Sequence, residues 1–92
     1  MSDTDFVWIF SGAGSRFSSG VFTSLEAGKS WIESHRLSGV LTQYPLNVGV
    51  YDWAVASGWF RPEKPEHTSP DFIAKFTSAS QEHFHFENGV LG

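Results

Sequence analysis

Apolar positions fall into short groups along the chain, and the spacing within each group predicts an element. Phe6-Val7-Trp8-Ile9-Phe10 is a continuous run of aromatic and β-branched residues, the pattern of a central strand buried on both faces. After a Gly/Ser-rich loop, Gly20-Val21-Phe22 reads as a short strand leading into a helix. Leu25, Gly28, Trp31, Ile32 and His35 then recur at helical intervals, with Thr23 as N-cap and Glu26 reaching back in a capping box. Gly28 costs that helix about 1 kcal/mol against alanine, which suggests close packing on a sheet. Gly39 ends the helix, and Val40 to Tyr44 forms the next strand, stopped by Pro45.

The second half is less regular. A short helix is expected over residues 47–57, with Asn47 as N-cap, Val50, Trp53 and Ala54 as its apolar stripe, and Gly58 just past its end with Trp59 folding back. An extended reading of 48–53 competes with it. Residues 61–68 carry two prolines and mixed charge, as a surface loop does. Ser69-Pro70-Asp71 opens a third helix that Phe72, Ile73, Phe76 and Ala79 or Ser80 continue; alternation of Phe72, Ala74 and Phe76 competes as a strand, and the cap favours the helix. The last strand spans Glu82 to Glu87 with strict period two: Phe84 and Phe86 face a core, while His83, His85 and Glu87 line the other side. Asn88-Gly89 is a turn signal, Val90 to Gly92 reads as a tail, and Met1 to Asp5 as a frayed start. The sum is one compact α+β domain over residues 1–92: a small sheet of about four strands with two or three helices packed on it as a single layer pair.

Composition narrows the function classes. A chain of 92 residues needs efficient burial, and 16% aromatic residues, with 9 Phe and 4 Trp, supply large apolar side chains. Cysteine is absent, so neither disulfides nor thiolate–metal sites support the fold, which fits a reducing compartment. Net charge is −4, and the basic residues Arg16, Lys29, Arg36, Arg61, Lys64 and Lys75 form no run, which argues against nucleic acid as a partner. The acidic start lacks the positive charge of a secretory signal, and no apolar run approaches the roughly 18 residues of a membrane span. A soluble, cytoplasmic protein without membrane or nucleic-acid partners is the expectation.

The candidate chemistry is sparse. Gly12-Ala13-Gly14 follows a strand, but Phe17 stands where a dinucleotide fingerprint needs its third glycine, and a flexible loop is the better reading. Gly28-Lys29-Ser30 imitates the end of a P-loop with Thr23 in place of the first glycine, inside a predicted helix, and is rejected. No cysteine and no G-x-S-x-G elbow is present for nucleophilic catalysis. His83 and His85 are same-face strand neighbours about 6.5–7 Å apart along the backbone, near enough to converge on zinc or another divalent metal. Glu87 would be a third ligand, with His35 or His67 from elsewhere, and the site would be of the histidine–carboxylate type with room for water. The plainer reading leaves both histidines on a half-exposed strand face. Tyr44, Tyr51, Asp52 and Trp53 are of types that suit protein interfaces and equally suit a core edge. Together with His83, His85 and Glu87 they form the expected partner-binding set. The leading expectation is thus a non-catalytic module that binds a protein partner or itself, with no cofactor; the alternative is a metal-binding site on His83 and His85, of a type that could support hydrolysis. A weaker third is a small-ligand pocket among Trp8, Trp31, Trp53 and Trp59.

Ser19-Gly20-Val21-Phe22, Trp31-Ile32, Leu37-Ser38-Gly39 with Leu41-Thr42, Tyr44-Pro45, Tyr51-Asp52-Trp53-Ala54 and Gln81-Glu82-His83-Phe84-His85-Phe86-Glu87-Asn88-Gly89 give the chain a family likeness from Trp8 onward. It resembles a family of small uncharacterised bacterial proteins, a domain of unknown function. The resemblance implies a bacterial origin and carries over no catalytic residue.

Overall fold

The computed structural model describes residues 5–92; of the start expected to fray, only Asp5 falls among them. The elements are β1 (Phe6–Gly12), β2 (Ser18–Phe22), α1 (Leu25–His35), β3 (Gly39–Pro45), α2 (Val50–Ala56), a 3₁₀ turn (Pro65–Thr68), α3 (Pro70–Ala74), β4 (His83–Glu87) and β5 (Val90–Leu91). The strands form one antiparallel sheet in the order β2-β1-β3-β4-β5. The α+β architecture is the one expected from sequence. The sheet has five strands rather than about four, because the Asn88-Gly89 turn folds the expected tail back and pairs Phe86 with Leu91 and Glu87 with Val90.

Alternation along the strands gives the sheet two unlike faces. On one, Trp8, Phe10, Leu41 and Phe86 are buried with Ile32 of α1, and Phe22, Leu25, Trp31, Leu37 and Phe84 pack around them. The helix comes very close here. A Cβ at Gly28 would lie 2.9 Å from a Leu41 methyl, so the glycine sets the helix–sheet distance as its position suggested. Gly39 is constrained by its backbone: at φ +155 a Cβ there would collide with the carbonyl oxygen of Ser11 on β1. Among the described residues no helix layer covers the other face of the sheet. Val7 and Ile9 stay half-exposed, so β1 is buried on one face and not on both, contrary to its apolar run. The shortest molecular dimension, 19 Å, is that of one sheet and one helix layer.

A second aromatic cluster lies beyond the Pro45 end of β3. Tyr51 of α2 is buried with its ring 5.9 Å from Phe60, 6.3 Å from Phe72 and 5.5 Å from Phe76. His67 belongs to it, stacked 5.0 Å from Phe72, with its Nδ1 accepting from the Glu63 and Lys64 amides. Trp53 joins this cluster to the sheet through an edge contact with Phe6.

Several boundaries move from their expected places. The N-cap of α1 is Ser24, whose Oγ accepts from the Ala27 amide at 3.1 Å, one residue after the expected Thr23, which lies in the bend between β2 and the helix. Helix α2 starts at Val50 behind Gly49; Asn47, at φ +64, is a turn residue and caps nothing. The end of α2 follows expectation: Gly58 is left-handed, and the amides of Gly58 and Trp59 bond back to Val55 and Ala54, although the Trp59 ring stays exposed. Helix α3 begins at the predicted Ser69 cap and stops at Ala74, short of 79. Beyond it the Ser78 hydroxyl bonds Ser80, and a local turn replaces further helix.

Candidate functional site

The open face of the sheet gathers two of the chain's four histidines with Tyr44 and Glu87. Register places them in cross-strand rows. Val21, Ile9, Thr42 and His83 form one row; Ser18, Ser11, Val40 and His85 form the next; Val7 stands beside Tyr44. The centre is therefore aliphatic on β1 and β3, and the β4 side is lined by imidazoles. Glu87 lies farther along β4 opposite Val90. All three expected β4 residues are exposed, as period two required, and Phe84 and Phe86 face the core.

One end of this face is hollowed. Residues 77–81 lean over β3 and leave a depression of about 360 Å³ lined by Val40, Thr42, Tyr44, Ser78, Gln81 and His83, among others. Gln81, 3% exposed, fixes that wall. Its Nε2 donates to the Gln43 carbonyl at 3.0 Å, and its Oε1 accepts from the Ser78 amide at 3.1 Å. In the sequence it opens the motif that runs to Gly89 but has no assigned role; a glutamine beside a strand reads as surface until the fold supplies partners for both ends of its amide.

The histidine pair is close but chemically divided. The rings of His83 and His85 lie 5.5 Å apart at 82°. The Nδ1 of His83 is 2.9 Å from the Gln81 carbonyl, which can only accept, so in this hydrogen bond Nδ1 is the donor. Among the described residues no three His, Cys, Asp or Glu side chains group as a metal ion requires. His35 meets Trp31 edge-on at the end of α1, and His67 is committed to the second aromatic cluster.

The interface set divides in two. Tyr44, His83 and His85 share the open face, Tyr44 and His83 in the same depression, with Glu87 farther along it. Tyr51 is buried and Trp53 half-buried against Phe6, so both serve the packing of α2; Asp52 is exposed in the first turn of that helix. The four tryptophans do not converge on a pocket: Trp8 is core, Trp31 lies between Phe10 and Phe22, Trp53 is at Phe6, and Trp59 is exposed.

Residues 7–92 match the family described as a domain of unknown function (DUF7710), and the chain belongs to it. The chain matches neither a curated protein nor a solved structure. Among the described residues no helix is long and apolar enough to cross a membrane.

Proposed function

We propose that this member of an uncharacterised family is a non-catalytic protein-binding module of the bacterial cytoplasm, which docks its partner on the open face of the sheet. The observation that carries the reading is the mismatch on β1. Its sequence has the apolar density of a strand buried on both sides, while the fold fully buries only the face of Trp8 and Phe10 and leaves Val7 and Ile9 half-exposed. Val40, Val21 and Tyr44 extend that apolar surface, and Thr42, Ser11, His83 and His85 supply hydrogen-bonding groups around it. Aliphatic centre, aromatic and polar margin is the anatomy of a protein interface. No Lys or Arg stands in these rows, so an extended polyanion finds no counter-charge on the face.

The test compares wild type with Val40→Lys, a central substitution on the face that leaves the α1 side untouched. A partner captured by wild type is purified and titrated into isotope-labelled protein. The reading expects amide shifts on β1, β3 and β4 and at least about tenfold weaker binding by Val40→Lys. Shifts confined to α1 and α2, or unchanged affinity of a folded Val40→Lys, would overturn it.

A further inference from the structure

The two edges of the sheet are protected very differently. At one end β5 has two residues and offers little backbone to a new strand. At the other end β2 runs for five residues, and among the described residues no strand pairs with its outer edge. Exposed edges are commonly guarded by Lys, Pro, inward charges or bulges. From Phe17 to Leu25 there is no charged residue and no proline, and the only device present is the register shift where Ser19 is left unpaired opposite Phe10 and Ser11. Gly20 to Phe22 keep regular pairing beyond it. Two large apolar side chains mark this edge: Phe17, just before the strand, is 78% exposed, and Val21 within it is 66% exposed.

We infer that β2 is a pairing edge for a second copy of this chain, joined antiparallel across a two-fold axis so that two sheets become one. An extended segment matches the regular spacing of the outward N–H and C=O groups of a strand edge and replaces their water. Charge favours a second copy over an unrelated strand. A two-fold axis sets each residue beside residues of the same segment, so any charge near it meets its own like. The chain as a whole carries −4, and two copies approach without local repulsion only through a neutral stretch such as this one. Pairing here also continues the row Thr42, Ile9, Val21 into the corresponding row of the partner copy, so the open face doubles without being covered. The contact is small beside the ~800 Å² per partner of a standard interface, so the dimer is weak and concentration-dependent. The inference stands apart from what docks on the open face.

Analytical ultracentrifugation from low micromolar to millimolar protein, paired with backbone hydrogen exchange at both limits, tests it. A reversible monomer–dimer equilibrium is expected, in which the amides of Ser18–Phe22 gain protection as the concentration rises. Val21→Lys should weaken association about tenfold or more by placing like charges across the axis, with the circular dichroism of the monomer unchanged. Val90→Lys at the opposite edge, and Val40→Lys at the centre of the open face, should leave it as in wild type. A strict monomer, or a dimer in which exchange at β2 does not depend on concentration, overturns the inference. Association lost in Val40→Lys but kept in Val21→Lys overturns it as well, and assigns the contact to the open face instead.

Discussion

Gln81 contributes through both ends of one amide, holding the turn at Ser78 and the backbone of β3 together in a buried place. Gln81→Leu keeps the bulk and leaves the Gln43 carbonyl and the Ser78 amide without these partners. Stability should fall by about 1–3 kcal/mol, read by chemical denaturation, and amide exchange should quicken over 77–81. His83 bonds the carbonyl of the same residue, so its ring orientation should loosen in that variant while that of His85 stays. Gly39 is the harsher position. Gly39→Ala brings a Cβ against the Ser11 carbonyl and the Phe10 ring at a φ that side chains rarely adopt. A loss of more than about 2 kcal/mol is expected, and a thermal melt within a few degrees of wild type would refute the constraint.

Among elements, α1 gives the clearest comparison of pattern with outcome. Its apolar spacing located it in the sequence, and its cap lies one residue later than expected because the helix begins at Leu25 and the Ala27 amide bonds the Ser24 hydroxyl. Ser24→Ala should cost about 1 kcal/mol, and Thr23→Ala only a few tenths; denaturation midpoints separate the two, and the reverse order would restore the capping box. Helix α3 shows the limit of caps as signals. Ser69 and Pro70 mark its start, but no comparable residue marks its end, and the Ser78–Ser80 contacts that replace further helix depend on Gln81 holding that turn to β3.

For the whole molecule, the decisive feature is a sheet with one face covered. The two sides of β1 should therefore respond differently to truncation. Phe10→Ala, in the core beside Ile32, should cost about 3–5 kcal/mol, whereas Ile9→Ala on the open face should cost about 1 kcal/mol. Equal losses in the isolated chain would mean that the second face is covered in solution. The flat outline agrees with this arrangement: a radius of gyration of 14.6 Å exceeds the roughly 12 Å of a compact chain of this length.

The sequence by itself determined the class of the fold and most of its elements, because periodicity, the Ser-Pro-Asp start of α3, Gly58 and Asn88-Gly89 are local signals whose physics acts within a few residues. It also determined which β4 residues face outward, since alternation needs no partner. Tertiary structure decided the rest. Whether Val7 and Ile9 meet another layer, whether Tyr51 faces solvent or Phe76, and whether four histidines gather or disperse all depend on contacts between residues far apart in the chain. Apolar density shows that a strand can be buried twice; only the packing of the helices shows that here it is buried once.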